Sequence, residues 1–433
     1  MITGEVRYGR DDMAETARKE HYLLGKNLGH SLSADIHGKL GLKYSLVELD
    51  DEKAVAEFLT RKEFAGLNVT IPYKETVMSY LDYIDKTALE IGAVNTVLND
   101  GGRLLGFNTD ISGMAHALLR ADIMLKGNRV MLLGSGGTAR TARHLAVSSG
   151  ATEVTIVSRC GARNYHNCRD FDPDIIINTT PVGMFPKMEH KPIELKDFSS
   201  VHAVFDAVYN PINTRLVQDA RSLGLKFSGG LAMLAEQARL AYGIFTGRET
   251  DEALSLEIYH GCLRKQCNIV LVGMAGSGKT SIGRRLSAID GRPFFDTDEL
   301  IELKAGMRIP QIFQLYGEQT FRKLENEVVS EVSLENGAII ATGGGALIDA
   351  ENRYMLGANA IGVHVRRDLG LLETSGRPLY QTHKVEELWE KRRCIYEGFC
   401  DFEIHNSGRI DDAAKAILNR IGIYDSKALE VPS

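Results

Sequence analysis

Long apolar runs are missing from this 433-residue chain. None approaches the ~18 residues that a spanning helix needs, so no membrane span is expected. The first residues, Met1-Ile2-Thr3-Gly4-Glu5-Val6-Arg7, lack the apolar core of a signal peptide. An excess of positive charge is missing too. Lys and Arg number 51 against 57 Asp and Glu, a net charge of −6, which argues against a general nucleic-acid binder. Cysteine is sparse. Cys160, Cys168, Cys262, Cys267, Cys394 and Cys400 form no C-x-x-C pair and no Cys/His cluster at zinc spacing. Free thiols in a reducing cytosol are therefore expected, and with them a cytoplasmic protein. Repeats and low-complexity segments are absent. What remains is an ordinary globular composition, 44% hydrophobic and 25% charged, at a length that predicts about three domains.

The strongest signal is Gly273-Met274-Ala275-Gly276-Ser277-Gly278-Lys279-Thr280, which reads G-x-x-x-x-G-K-T. The apolar run Asn268-Ile269-Val270-Leu271-Val272 precedes it as a buried strand, and Ser281 to Leu286 opens a helix. Strand, glycine loop and helix N-terminus make an anion cradle, with backbone N–H groups facing phosphates. Gly273, Ala275, Gly276, Ser277, Gly278 and Ser281 would line it for ATP. Lys279 would reach the β- and γ-phosphates, and the Thr280 hydroxyl would bind Mg²⁺. Such a loop follows the first strand of its own domain, so the residues before it should form something else.

Upstream, strand and helix signals alternate as in an α/β domain. Gly29-His30-Ser31-Leu32-Ser33 follows a strand end and, by itself, reads as a helix N-cap. In Gly66-Leu67-Asn68-Val69-Thr70-Ile71-Pro72-Tyr73-Lys74, a strand from Asn68 to Ile71 is stopped by Pro72. Lys74 falls at the start of the next helix, where the dipole disfavours a cation. Gly92-Ala93-Val94-Asn95-Thr96 and Gly106-Phe107-Asn108-Thr109-Asp110 each place an Asn-Thr pair in a turn. Together, in this order, the four motifs resemble shikimate dehydrogenase from about Leu23 to Ala253. The resemblance implies that Lys74 and Asp110 form the catalytic pair. It also implies that Ser31, Ser33, Thr70, Asn95, Lys74 and Asp110 meet the substrate. A lysine beside a carboxylate can deliver a proton to a new alkoxide, and which of the two moves it stays open.

Asn128 to Leu133 is a second clean strand, followed by Gly134-Ser135-Gly136-Gly137-Thr138-Ala139 and a helical stretch to Ser149. This is a variant dinucleotide-binding turn. The next strand, Glu153 to Val157, ends at Ser158-Arg159 with no acid for a ribose 2′-hydroxyl. Arg159 suits a 2′-phosphate instead, so NADP(H) is expected, with Arg163 as a second phosphate contact. By the resemblance, Asn178-Thr179-Thr180-Pro181-Val182-Gly183-Met184 lies near the nicotinamide. Asp206-Ala207-Val208-Tyr209-Asn210-Pro211 would place Ala207 and Tyr209 at the junction of cofactor and substrate. Gly229-Gly230-Leu231-Ala232-Met233-Leu234-Ala235-Glu236-Gln237 would bring Gly230 to the cofactor and Gln237 to the substrate. The helices from about residue 231 should fold back onto the first domain.

Tyr259 to Gln266 reads as a short polar connection. Beyond the glycine loop come Asp296-Thr297-Asp298, two acids expected to point the same way from a strand end. One of them could serve Mg²⁺. Gly317-Glu318-Gln319-Thr320-Phe321-Arg322 puts an arginine on a helix, and Ala338 to Ala341 leads into Thr342-Gly343-Gly344-Gly345. This set resembles shikimate kinase, from about Cys267 to Ile423. The resemblance assigns Asp298, Arg322, Gly344 and Arg392 to shikimate. The two arginines would hold its carboxylate, Asp298 is a candidate base, and Asp296 would support Mg²⁺. Arg377 falls on a lid, where it could neutralise charge on the transferring phosphoryl. The lid, Leu371 to Gly376, is shorter than the family's, and the adenine-side loop, His405 to Arg409, departs from its usual form.

The expected fold is α/β throughout. Residues 1–126 would be a substrate-binding domain, completed by helices of about 228–262. Residues 127–227 would be a Rossmann-like NADP domain, and 263–433 a P-loop kinase domain with a parallel sheet. The expected chemistry is NADPH-dependent reduction of 3-dehydroshikimate to shikimate, then ATP-dependent phosphorylation to shikimate 3-phosphate. Neither nucleic acid nor membrane is an expected partner. The alternative is a quinate/shikimate-type dehydrogenase fused to a degenerate or differently specific kinase module.

Overall fold

The computed structural model describes residues 20–29, 31–373, 380 and 384–427. The chain divides into two compact units. One comprises Met1–Phe185, Lys191–Asn210 and Asp219–Cys262; the other comprises Pro186–His190, Pro211–Gln218 and Leu263–Ser433.

The first unit holds two sheets. β1 (His21–Gly25), α1 (Ser33–Lys39), β2 (Tyr44–Glu48), α2 (Glu52–Arg61), β3 (Gly66–Val69), β4 (Tyr83–Ile84), α3 (Lys86–Ile91), β5 (Thr96–Asp100) and β6 (Arg103–Phe107) build the first. Its six strands run in the order β2-β1-β3-β5-β6-β4. β1 is parallel to β2 and β3, while β5 is antiparallel to β3 and β6. β3 is buried at every position, which is why its sequence shows no alternation. The strand ends at Val69, two residues before the expected Ile71. Leu24, Val55, Leu67, Val97 and Leu104 are fully enclosed beneath this sheet. α4 (Asp110–Arg120) then leads away from it.

The second sheet is a parallel, doubly wound array. It is made of β7 (Arg129–Leu133), α5 (Gly137–Ser148), β8 (Glu153–Val157), β9 (Ile175–Asn178), β10 (Ala203–Asp206), α6 (Arg215–Ser222) and β11 (Lys226–Ser228). The order is β11-β10-β9-β7-β8. α7 (Leu231–Thr246) returns to the first sheet, where the rings of Phe245 and His21 lie 5.0 Å apart. α8 (Glu252–Gln266) follows. It contains the whole Tyr259–Gln266 stretch, so the expected polar connection is helical. Cys262, Leu263 and Gln266 are buried there, which composition alone does not reveal.

The second unit holds the third sheet. Its elements are β12 (Asn268–Val272), α9 (Lys279–Asp290), β13 (Phe294–Asp296), α10 (Thr297–Ala305), α11 (Ile309–Val332), β14 (Ile339–Ala341), α12 (Ala350–Gly357), β15 (Ala360–Arg366), α13 (Val385–Phe399), β16 (Phe402–His405) and α14 (Ile410–Lys427). All five strands are parallel, in the order β13-β14-β12-β15-β16. β12 is central and buried throughout, as its apolar run predicts. α11 is broken at Gly317 (φ 77°, ψ 172°), a conformation open to glycine. Among the described residues no helix is long and apolar enough to cross a membrane. None of the six cysteines, all of them among the described residues, is in a disulfide.

His37 on α1 is buried and stacked on Tyr44, with ring centroids 4.6 Å apart. Burial, reinforced by nearby His21, pushes its pKa from 6.5 down to about 3. The unfolded chain therefore binds the extra proton between these values. Stability rises with pH in that window and is lost as pH falls from 6.5 toward 3. Urea unfolding between pH 6.5 and 4.5 should show the wild type losing up to about 1.4 kcal/mol per pH unit more than His37→Gln. Parallel slopes for the two proteins would contradict this placement.

Candidate active sites

The first site lies where β3 and β6 end and antiparallel β5 begins. The turn after β3 carries Lys74, and α4 begins at Asp110. Lys74 precedes the short 3₁₀ turn Thr76–Tyr80 instead of opening an α-helix, so it meets no helix dipole. Asp110, in contrast, sits in the first turn of α4, where negative charge is favoured. Both side chains are buried, and Lys74 Nζ lies 2.5 Å from Asp110 Oδ2. Asn95 Nδ2 donates to the other carboxylate oxygen, Oδ1, at 2.8 Å. Lys74 also lies 3.4 Å from the Thr138 hydroxyl, joining this site to the second sheet.

Other expected residues gather in two groups. Ser31 hydrogen-bonds the Tyr209 hydroxyl, whose pKa is raised by burial against the opposing effect of that bond. Ser31 Oγ also accepts the Ser33 N–H at 3.2 Å. Gln237 on α7 lies 3.5 Å from the Thr109 hydroxyl, beside Asn95. Thr70 follows β3 directly, its backbone N–H bonded to Leu24 at 2.9 Å.

The second site is the turn between β7 and α5. Gly134 has φ +114°, and a Cβ there would lie 2.6 Å from the Thr179 hydroxyl. Gly136 caps α5 without any side-chain bond, and the first turn carries no acid. Ser135, Gly137, Thr138 and Ala139 therefore frame a helix N-terminus suited to a phosphate. A Cβ on Gly137 would lie 3.1 Å from Lys74 Cδ, so this glycine keeps room for the lysine. Ser158 and Arg159 follow β8, and the Ser158 N–H bonds the Arg163 carbonyl at 3.2 Å. Arg163 itself reaches the Asn167 carbonyl at 3.4 Å and lies over Phe171. Gly230 leaves no room for a side chain, since its Cβ would lie 2.2 Å from the Ala207 carbonyl oxygen. Buried Asn178 donates to buried Asp206 at 2.9 Å, tying together the ends of β9 and β10. That pair escaped sequence reasoning because each partner looks like a turn residue alone.

The third site surrounds the glycine loop after β12. Gly273, Gly276 and Gly278 all have positive φ. A Cβ on Gly273 would lie 2.5 Å from the Val365 carbonyl oxygen. Lys279 is buried and donates to the Gly273 and Met274 carbonyls at 3.0 and 2.9 Å. Thr280 Oγ1 lies 2.6 Å from Asp296 Oδ2. These hard oxygens, a hydroxyl beside a carboxylate, fit Mg²⁺ held otherwise by phosphate and water. Asp296 ends β13 and caps α10, whereas Asp298 belongs to that helix's first turn. The two acids therefore straddle a strand–helix junction instead of sharing a strand face. Ser281 follows on α9. Arg377 lies outside the described residues.

A cavity of about 540 Å³ opens beside this loop, lined by Thr280, Asp296, Asp298, Arg322, Gly344 and Arg392 among others. Arg322 bonds Glu325 at 2.6 Å and Glu318 at 3.0 Å. Its guanidinium is desolvated, yet the two acids raise its pKa. Arg392 donates to the Gly344 carbonyl at 3.0 Å, and Tyr396 to the same oxygen at 2.5 Å. Burial raises the Glu325 carboxyl above its usual range, against the pull of Arg322. Sequence reasoning missed Glu325, Tyr396 and Asn406. Asn406 donates to the Ser277 carbonyl at 2.7 Å and so holds the loop from β16. The spacings Arg322–Glu325 and Arg392–Tyr396, three and four residues on a helix, were the available signal for two of them.

Residues 23–97 match the family model for the shikimate dehydrogenase substrate binding domain, and residues 275–422 match that for shikimate kinase. The chain is 37% identical to the shikimate dehydrogenase (NADP⁺) of Clostridium perfringens, covering 96% of that protein and 55% of this chain. Among solved structures it is similar to shikimate dehydrogenase 1 from Peptoclostridium difficile. There the identity is 30%, the TM-score 0.54, and the match covers 97% of that chain and 56% of this one. It is also similar to shikimate 5-dehydrogenase from Thermus thermophilus in complex with NADP(H) and shikimate. That match has 33% identity, TM-score 0.50, and covers 99% of that chain and 56% of this one.

The Gly230 contact carries a direct test. Gly230→Ala forces a methyl into the Ala207 carbonyl. Overpacking of this kind is expected to lower unfolding stability by about 1–3 kcal/mol and to weaken dinucleotide binding. Denaturant titration and fluorescence titration with the nucleotide would measure both.

Proposed function

We propose, from a chain that belongs to the shikimate dehydrogenase family and also carries a shikimate kinase domain, that its sites run two consecutive reactions on one ring. NADPH-dependent reduction of 3-dehydroshikimate gives shikimate. ATP then phosphorylates the hydroxyl so formed, giving shikimate 3-phosphate. The observation that carries the first step is the buried Lys74–Asp110 pair at 2.5 Å. Bound NADPH supplies the hydride, and this pair supplies and orients the proton for the alkoxide oxygen. Ser31, Ser33, Thr70, Asn95, Tyr209 and Gln237 hold the substrate. Gly134 to Ala139 would hold the nucleotide, Ser158, Arg159 and Arg163 would meet its 2′-phosphate end, and Thr179, Ala207 and Gly230 would meet its nicotinamide end.

In the kinase domain, Lys279 leaves its loop carbonyls for the phosphates, and the Thr280–Asp296 pair supports Mg²⁺. Asp298 would meet the ring hydroxyls, and Arg322 and Arg392 the carboxylate. The cavity beside the loop, lined by Asp298, Arg322 and Arg392, supports this assignment. On this reading residues 1–126 with about 228–262, residues 127–227 and residues 263–433 are the three domains.

The test is an assay on the whole chain with 3-dehydroshikimate, NADPH and Mg-ATP, following NADPH loss and ADP formation. Lys74→Met should cut NADPH oxidation by more than about 100-fold while shikimate-dependent ADP formation persists. Lys279→Met should do the reverse. ADP formation that stays dependent on dehydroshikimate when shikimate is supplied would sink the shared-intermediate reading.

Arg159 decides between dinucleotides. Removing its charge should raise the KM for NADPH about tenfold, roughly one charged hydrogen bond's worth, and leave that for NADH within about twofold. An equal change for both would show that Arg159 does not meet the 2′-phosphate.

A further inference from the structure

Thr96 is fully buried at the start of β5 and has no place in the roles assigned above. Its hydroxyl stands at a junction. Asn68 Nδ2 donates to it at 3.3 Å, and it lies 3.2 Å from Asn95 Oδ1 and 3.2 Å from the Thr109 hydroxyl. Asn95 Oδ1 also takes the Thr109 backbone N–H at 2.7 Å. With the carbonyl end of the Asn95 amide so occupied, its NH₂ end faces Asp110 Oδ1 at 2.8 Å. The opposite orientation would set a carbonyl oxygen against a carboxylate and an NH₂ against a backbone N–H. Each contact would bury like-signed partners at a cost of about 1–3 kcal/mol.

We infer that Thr96 is a positioning residue for the reduction. The hydroxyl accepts from the Asn68 amide and donates to Asn95 Oδ1. That bond fixes the amide, which fixes Asp110, which in turn fixes the ammonium of Lys74 2.5 Å from its other oxygen. The network continues through the Thr109 hydroxyl to Gln237 on α7, at 3.5 Å. The buried hydroxyl therefore joins the Thr109 N–H in holding the carbonyl end of the amide on which both catalytic charges lean. Thr96 touches neither substrate nor cofactor in this role. The inference rests on the proposed dehydrogenase reading.

The test compares Thr96→Val, which keeps the β-branched shape and loses the hydroxyl, with Thr96→Ser, which keeps the hydroxyl. NADPH oxidation with 3-dehydroshikimate is followed in the full chain. The kcat is expressed per NADPH-binding site from fluorescence titration, so unfolded chain is not counted. Thr96→Val is expected to lose about tenfold in kcat, as slight misplacement of reacting groups does, with Thr96→Ser retaining at least half the wild-type rate. If the valine variant fails to fold, Thr96→Ala takes its place with the same expected loss. Wild-type kinetics in the hydroxyl-free variant would overturn the inference, and so would a serine variant as slow as it. A wild-type chain that leaves NADPH untouched would overturn the dehydrogenase reading itself, and the role of Thr96 with it.

Discussion

Burying Lys74 against Asp110 is the constraint around which the first unit is arranged. Taking both charges out of water costs several kcal/mol per ion, so such a pair is poor evidence of stability and survives only where other groups complete it. Here they do. Asp110 has the α4 N-terminus behind it and the Asn95 amide on its second oxygen. The Lys74 backbone carbonyl accepts the Val94 N–H at 2.8 Å, tying the lysine's turn to the segment that presents Asn95. The mixed sheet places these ends together. β3 and β5 are antiparallel neighbours with Asn68 opposite Thr96, and β6 pairs Phe107 with Thr96 just before the turn that carries Asp110.

Two glycine turns repeat one physical device on two different sheets. Gly134 and Gly273 both follow a central parallel strand, both have positive φ, and at both a Cβ would strike a neighbouring strand's end. The chain is thereby forced to turn tightly into a helix whose free N–H groups face outward. The difference lies in the counter-charge. α9 begins with buried Lys279, a point charge for terminal phosphates. In the first turn of α5 the cation, Arg140, is engaged by Glu75 at 2.8 Å, and Arg159 stands instead beyond the next strand, suited to a phosphate at the ribose end.

What could be read from sequence was local. Strand, glycine turn and helix follow one another within about twenty residues, and each carries its own apolar period or φ requirement. Gly134 and Gly273 were expected just past strand ends and lie there, whereas Gln237, Arg322 and Arg392 come from helices. Tyr259–Gln266 was misjudged because its buried face, Cys262, Leu263 and Gln266, is defined only by what packs on it. Asp296 and Asp298 were given a strand's alternation because the junction between β13 and α10 leaves no trace in their spacing. Asn406 was invisible for a stronger reason: its partner, the Ser277 carbonyl, lies 129 residues away. Thr96 stands beside Asn95 in its motif, but its contacts with Asn68 and Thr109 reach across 28 and 13 residues, and only the folded sheet shows them.

Arg322 raises a question that its partners answer. A guanidinium already engaged by two carboxylates looks ill placed to hold a third. The two are not equivalent. Glu325 is 1% exposed and, through its Oε2, anchors the guanidinium, while its Oε1 has no hydrogen-bond partner among the described residues. Leaving that carboxylate without its arginine would strand a buried charge, so this bond holds whatever else binds. The Glu318 side chain is half exposed, and an ion pair of that kind contributes about 0–1 kcal/mol. A ligand carboxylate entering the cavity can replace Glu318 at little cost while Glu325 keeps the fork in place. On the proposed assignment of Arg322 to a ligand carboxylate, Glu318 is the partner to be displaced and Glu325 the one that keeps the guanidinium at the cavity wall.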